Sequence, residues 1–257
     1  MTAGSGPVDR RVDGLAVYDA PGRPGAPRVV LVHGSMDRGA SFVRTVRQLH
    51  ELDVVRYDRR GYGRSASAGV AESIDAHVDD LLRVVGERPA VVVGHSLGGV
   101  IALTASVRRP DLIPSVGAFE SPMSWLSEWP TRSAGGQALA SGPQEAAERF
   151  LRGILGDEGW ERLPAGTRAA RRAEGPTLLA ELASLRRAAP YEPASVPVPV
   201  LSGYGSESKP YHQDAARRLA DEAPLGELCV IQGSGHAAPI THAADFADFV
   251  RHAVERA

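Results

Sequence analysis

Gly94-His95-Ser96-Leu97-Gly98-Gly99 follows the apolar run Ala90-Val91-Val92-Val93 and leads into Val100-Ile101-Ala102-Leu103-Thr104-Ala105. A short β-branched run, a turn with glycines on both sides of one serine, and a helix-forming run together spell the G-x-S-x-G nucleophile elbow. Small residues are needed at 94 and 98 because the turn closes on itself and a side chain would meet the returning backbone. Such a turn lifts the Ser96 hydroxyl above the strand end. The first N–H groups of the helix behind it point at the same place, where a developing oxyanion would find donors already oriented. The bare pattern occurs in ordinary loops; the strand before it and the helix after it make Ser96 a candidate nucleophile rather than a residue of a structural turn.

Outward from the elbow, short apolar runs alternate with amphipathic helical patterns, which predicts a mostly parallel sheet wrapped on both faces by helices. Strands are expected at Leu15-Tyr18, Val29-Val32, Val54-Tyr57, Ala90-Val93, Val116-Phe119, Val198-Leu201 and Leu228-Ile231. Helices are expected over Ser73–Gly86, with Ile74, His77, Val78, Leu81, Leu82 and Val85 on one face, and over Gln213–Glu222, with Ala216, Leu219 and Ala220 inward. The alternation breaks once, between Ser121 and Pro197, where Gln144–Leu155 and Pro176–Ala188 have helical patterns and no strand pattern occurs. That stretch predicts a helical lid over residues 122–195, inserted into a core of residues 1–121 and 196–257. Its tryptophans, Trp125 and Trp129 above all, are expected to shape a substrate pocket; the plainer reading is a set of additional packing helices.

The composition is that of a globular chain: 257 residues, 43% hydrophobic and 23% charged. With 29 basic and 31 acidic residues evenly spread and a net charge of −2, nothing predicts a nucleic-acid groove or a polybasic membrane anchor. Lys209 is the only lysine. The one cysteine, Cys229, excludes an internal disulfide and is expected to be an inert thiol in a buried strand. Met1–Arg11 lacks the apolar core of a secretory signal and no apolar run is long enough for a membrane span, so the expected location is the cytoplasm. No His/Cys/Asp cluster has metal-ligand spacing.

Three further segments complete a pattern. Leu31-Val32-His33-Gly34-Ser35-Met36 follows a predicted strand, Asp58-Arg59-Arg60-Gly61-Tyr62-Gly63-Arg64-Ser65 follows the next, and Gly233-Ser234-Gly235-His236 follows the last. With the elbow, in this order and at these strand ends, the chain resembles the α/β-hydrolase family over essentially its whole length. The resemblance implies an α/β-hydrolase core with a helical lid inserted after the strand that ends at Glu120. It places the oxyanion hole at the backbone N–H groups of Leu97 and of a residue just after His33-Gly34, Ser35 first and Met36 as the alternative. His33 itself is expected to be a structural turn residue, and the arginines of Asp58–Ser65 to form structural ion pairs.

A serine hydroxyl is unreactive near neutrality until a base takes its proton. The family order of nucleophile, acid and histidine makes His236 that base; His242 is expected to be a surface or cap residue. The acid is open between two glutamates. The family's usual place is the loop after the penultimate strand, where Leu201-Ser202-Gly203-Tyr204-Gly205-Ser206-Glu207-Ser208 has Glu207 one residue off. The competitor, Glu120, closes the strand Val116-Phe119. A subset resembling the haloalkane dehalogenases carries its acid there, followed by a Pro- and Trp-containing segment like Glu120-Ser121-Pro122-Met123-Ser124-Trp125. Glu120 is the first choice.

The expected function is that of a cofactor-free serine hydrolase acting on an ester, thioester or related carboxylic acid derivative through an acyl-enzyme, with a small apolar or aromatic substrate. Aspartate-nucleophile relatives such as epoxide hydrolases are disfavoured because position 96 is serine. The same constellation supports C–C bond hydrolysis, lyase or perhydrolase chemistry. A reading of another class is a ligand receptor that keeps the triad and signals through the lid.

Overall fold

The structure, a computed structural model, describes residues 8–257; the N-terminal residues 1–7, on which part of the expectation about a leader rests, lie outside the described residues. Eight strands, β1 (Arg10–Val12), β2 (Leu15–Ala20), β3 (Arg28–Val32), β4 (Asp53–Tyr57), β5 (Val91–His95), β6 (Val116–Phe119), β7 (Val200–Gly205) and β8 (Gly226–Ile231), form one sheet in the order β1-β2-β4-β3-β5-β6-β7-β8. The β1–β2 and β2–β4 pairs are antiparallel and every other pair is parallel. All seven expected strands are present. The one not foreseen, β1, has only three residues, two of them arginines, and is fastened by Arg10 donating to Asp19 of β2 at 2.8 Å.

The central strands read as unbroken apolar runs because both their faces are covered. Val30 and Val32 of β3 and Val92 of β5 pack with α2 (Ile74–Val85), α3 (Leu97–Arg108) and α8 (Pro210–Glu222). Their alternating neighbours Val29, Leu31, Val91 and Val93 pack on the other face with Phe246, Phe249 and Val250 of α10 (Ala243–Glu255), near α1 (Val43–Val46) and α9 (Ala238–Thr241). The α2 helix starts where the Ser73 hydroxyl accepts the Ala76 N–H and stops at Gly86, whose φ of 70° only glycine adopts freely. Its Leu82 is half-buried rather than part of the fully buried face, whereas Asp80 is buried with Arg60 as its partner.

Between β6 and β7 the described chain has no strand and four helices: α4 (Ala134–Leu139), α5 (Pro143–Glu161, broken at Gly156 with φ 73°), α6 (Ala165–Ala173) and α7 (Gly175–Arg187). The insertion has a small core of its own in which Ala146, Leu151, Trp160 and Leu178 meet Met36 and Tyr62 from the loops after β3 and β4. Contact there is tight. A Cβ on Gly61, which has φ 80°, would sit 2.1 Å from Thr177 Oγ1 of α7.

Cys229 differs from expectation. It is half-buried, because β8 is an edge strand whose residues are mostly only partly covered, and burial pushes its thiol upward. Among the described residues, no helix is long and apolar enough to cross a membrane.

Candidate active site

The strand order places the site. From β3 the chain moves to β4 on one side, then returns to β5 on the other, so the crevice beyond the carboxyl ends of β3 and β5 is the topological switch point where α/β sheets bind ligands. The loops that flank it carry Gly34-Ser35 and Ser96-Leu97. Ser96 has φ 54° and ψ −125°, outside the regions open to a serine without strain. The turn has no room for larger residues: a Cβ on Gly94 would lie 2.2 Å from the Gly98 carbonyl group, and one on Gly98 would lie 2.0 Å from the Val32 oxygen. Four described non-glycine residues have positive φ, and three of them, Met36, Ser96 and Glu120, follow the ends of β3, β5 and β6. Strain concentrated in this way is characteristic of functional sites.

Register along β5, β6, β7 and β8 pairs His95 with Phe119, Phe119 with Gly203, and Gly205 with Ile231. The residues just past these ends therefore converge. Glu120 is fully buried; its Oε1 accepts the Gly205 N–H at 3.0 Å and the Ser208 hydroxyl, and its Oε2 lies 2.6 Å from His236 Nδ1. Burial alone would raise this carboxyl, but the hydrogen bond and charge of His236, followed by His212 and Ser208, outweigh it and hold it at about 2. Glu207 is exposed at its side chain and meets Ser234 only through its backbone N–H, at 2.9 Å. His242 is half-buried near the chain turn into α10, with its ring on Thr241.

An ionised Glu120 at 2.6 Å accepts a hydrogen bond from the Nδ1–H of His236, which fixes the proton there and leaves Nε2 as the basic nitrogen. Two more histidines flank the ring. His95 donates from Nε2 to the His236 carbonyl at 2.8 Å, and His212 stacks on His236 with centroids 4.6 Å apart and planes at 23°. Burial, then the charge of His236, pushes both His95 and His212 down to about 3, so both stay neutral near pH 7. Glu120, His212 and His236 bring ligand-type atoms within 4.8 Å of one another, a grouping invisible in the spacing of the sequence. Both Glu120 oxygens are already engaged, so the arrangement suits a proton better than a metal ion.

Ser35, Ser96, Leu97, His212 and His236 line a cavity of about 70 Å³ together with Leu139, Phe150, Ile154, Leu182 and Leu185 of the insertion and with Trp129. Leu97 is the first residue of α3, so its N–H has no carbonyl one turn back to bond. Met36 is buried, does not line the cavity and turns its backbone toward the Tyr62 hydroxyl. Trp125 departs from the expected pocket role: it is absent from the cavity wall and packs edge-on to Tyr191, with ring centroids 5.4 Å apart, against the main core.

The loop after β3 is braced from beneath. His33 accepts the Arg59 N–H at Nε2 (2.8 Å) and donates from Nδ1 to the Gly34 oxygen (2.8 Å), a single neutral tautomer. The buried Arg59 guanidinium donates to the oxygens of His33 and Gly34, both at 2.9 Å, and to Glu181 of α7 at 2.6 Å. Glu181 in turn accepts from Ser35 Oγ and Tyr62 Oη and sits 2.8 Å from His77 Nε2. Burial opposes its charge, but Arg59 and then His77 hold its carboxyl well below the usual range. The ion pairs expected of the arginines in Asp58–Ser65 are present in Arg59–Glu181 and Arg60–Asp80, but the sequence does not point to Glu181 and His77 as members of the network, nor to His95 and His212 as site residues.

The sequence model of the alpha/beta hydrolase family matches residues 29–249, which include every residue of this site. The chain belongs to the alpha/beta hydrolase family. Similar proteins include lipase LipV of Mycobacterium tuberculosis, 36% identical over 98 residues (37% of each chain), and epoxide hydrolase A of the same organism, 35% identical over 127 residues (45% of this chain, 39% of the other). A third, 2-(acetamidomethylene)succinate hydrolase of Mesorhizobium japonicum, is 30% identical over 118 residues, 44% of this chain and 42% of the other. The chain thus spans about two fifths of the length of these curated relatives. Solved structures with the same fold include an enol-lactonase from Burkholderia xenovorans (TM-score 0.72, 21% identity, 94% of this chain and 96% of that one) and a hydrolase from Oleispira antarctica (TM-score 0.77, 16% identity, 96% of each). At those identities the likeness concerns the alpha/beta hydrolase fold.

Proposed function

We propose that this alpha/beta hydrolase is a serine hydrolase that cleaves an ester, thioester or related carboxylic acid derivative through an acyl-enzyme. The observation that carries the reading is the contact of 2.6 Å between buried Glu120 and His236, a residue that lines the same cavity as Ser96 on its strained turn. His236 Nε2 takes the Ser96 proton as Oγ attacks the carbonyl carbon. Negative charge collects on the carbonyl oxygen and is met by the N–H groups of Leu97 and Ser35, each such donor contributing about 2.7–4 kcal/mol to the barrier reduction. His236 then gives its proton to the departing alkoxide or thiolate. A water molecule, deprotonated by the same nitrogen, releases the acid and restores Ser96. Glu120 orients the ring and stabilises its cationic form throughout, while neutral His95 and His212 do not compete for the proton.

In this reading residues 122–195 form a lid over a core of residues 1–121 and 196–257, and the lid supplies the substrate wall. The relatives' printed activities, a lipase and a succinate-derivative hydrolase among them, fit hydrolysis of a carboxylic acid derivative. Serine at 96 argues against the epoxide chemistry that another relative's name carries.

The test is labelling with a fluorophosphonate probe and mapping of the adduct. The reading requires modification at Ser96 in the wild type, none in Ser96→Ala, and turnover of short 4-nitrophenyl esters by the wild type alone. An active preparation labelled elsewhere, or not at all, would overturn it.

A further inference from the structure

The cavity is apolar except in a few places, and one of them has no assigned role. Arg186, near the C-terminal end of α7, lines the cavity that holds Ser96. Leu182, Leu185 and Arg186 present one side of α7 to the cavity, while Leu178 and Glu181 anchor the adjoining side in the interior. Arg186 is half-buried, and no described carboxylate, carbonyl or aromatic ring pairs with it. Its isolation is unusual in this chain. Arg23, Arg47, Arg132, Arg187 and Lys209 also lack a partner among the described residues, but all five are exposed to water and none lines the cavity. The other half-buried arginines are paired, Arg38 with Glu174 and Arg172 with Glu148 among them.

Two more polar atoms of cavity-lining residues lack protein partners. Ser124 Oγ and His212 Nδ1 are buried and unbonded, and both residues line this cavity. Of the eleven buried side-chain atoms without a partner among the described residues, these two belong to residues that line the cavity, where a bound ligand could pair them. A guanidinium removed from much of its water offers a planar fork of donors that matches a carboxylate with two parallel hydrogen bonds. One cation, with no second beside it on the wall, balances a single negative charge, which suits a carboxylate better than a phosphate dianion.

Resting on the serine-hydrolase reading, we infer that Arg186 is a specificity-determining residue that binds a free carboxylate on the substrate. The substrate class is a small ester, thioester or lactone that carries a second, ionised carboxyl group, held on Arg186 while its scissile carbonyl lies over Ser96. This refines the expectation of a purely apolar or aromatic substrate: the apolar wall holds the chain, and the arginine reads its end.

The experiment compares matched pairs of substrates that differ in one charge. Mono-4-nitrophenyl succinate is set against its methyl ester, and 2-acetoxyacetate against 2-acetoxyacetamide, so that the carboxylate is tested on either side of the scissile bond. The wild type is expected to prefer the charged member of at least one pair by tenfold or more in kcat/KM. Arg186→Met keeps the aliphatic stem and is expected to lower kcat/KM for the charged member alone, by about 10- to 100-fold and chiefly through KM, as a lost charge-assisted hydrogen bond does; Arg186→Lys should restore part of it. No charge preference in either pair, or an equal loss on charged and neutral members in Arg186→Met, would overturn the inference and leave Arg186 as a side chain covering apolar surface. Fluorophosphonate labelling and hydrolysis of the neutral esters report separately on the hydrolase reading. If those fail, calorimetry with succinate still decides: binding to Ser96→Ala that disappears in Ser96→Ala/Arg186→Met supports the site, and absence of binding to Ser96→Ala overturns it.

Discussion

Glu181, in the helical insertion, holds Ser35, in the loop after β3, through a hydrogen bond of 2.7 Å from the serine hydroxyl to its carboxylate, across 146 residues of sequence. Ser35 is also the proposed second oxyanion donor, so the insertion and the catalytic loop share one fastening. The same carboxylate neutralises Arg59, and Arg59 carries the carbonyls of His33 and Gly34. A buried charge left without its partner costs about 3–5 kcal/mol. Glu181→Leu is therefore expected to lower unfolding free energy by that amount in urea titration, and the double variant Glu181→Leu/Arg59→Met should recover a large part. A Glu181→Leu loss under about 1 kcal/mol, or a double variant no better than the single one, would mean that the network does not hold the loop.

Acidification should destabilise the fold well before its carboxylates are all protonated. Burial and neighbouring cations lower the pKa of His95 and His212 from 6.5 to about 3, and lower those of His33 and His77 as well. A group whose folded pKa is depressed stabilises the fold above its unfolded value and loses that contribution as pH falls through the folded one. For His95 and His212 the window runs from pH 6.5 down to about 3. Glu120 adds a loss from 4.5 down to about 2. Asp37 and Glu174, raised by burial, act in the opposite sense but are outnumbered. Urea midpoints should fall steadily between pH 7 and pH 4; a flat profile across that range would show that these rings are not held neutral.

The legible parts of this molecule are those that local chemistry dictates. Ser96 stands out because its turn admits only glycine at 94 and 98, and Glu120 and His236 because each follows a strand with a clear apolar pattern. Other parts are written in the chain less plainly. Glu181 lies on the buried stripe of α7 with Leu178 and Leu185, and His77 and Asp80 lie on that of α2, so charged or polar residues inside apolar stripes were the signal of a buried network. His212 sits in the first turn of α8, and only the packing of that helix against the loop after β8 brings its ring onto His236. The tryptophans show where periodicity fails. Trp125 and Trp129 are four apart, which would place them together on a helix, but α4 begins only at Ala134 and the segment before it is a series of turns.

That difference separates the two side chains experimentally. Trp129 lines the cavity and lies edge-on to Tyr211 and His212, with centroids 5.0 and 5.6 Å away, whereas Trp125 packs on Tyr191 beneath it. Trp129→Ala should shift the preference between acetyl and hexanoyl 4-nitrophenyl esters toward the longer chain. Trp125→Ala should leave that preference in place and act on stability, by about 3–5 kcal/mol if truncation leaves an unfilled space. The reverse assignment of the two effects in a chain-length profile and a thermal melt would show that Trp125, not Trp129, shapes the pocket.

The two glutamates differ more sharply still. Glu120 is buried with one oxygen on His236 and the other on Gly205 and Ser208, whereas the Glu207 side chain is exposed. A carboxylate that accepts the Nδ1 proton keeps the basic nitrogen facing the nucleophile and stabilises the imidazolium; replacing such a group by its amide costs about 10⁴ in kcat in a serine protease of unrelated fold while the geometry survives. Glu120→Gln should therefore lose several orders of magnitude in kcat with KM little changed and the fold retained, because the amide oxygen can still accept from Gly205 and Ser208. Glu207→Gln should lose less than about tenfold, as expected where no catalytic contact is removed. Steady-state kinetics at pH 7 to 8, with circular dichroism as the control for folding, separates the cases. The opposite ranking would move the acid to the loop after β7, and two comparable large losses would mean that the glutamates act together.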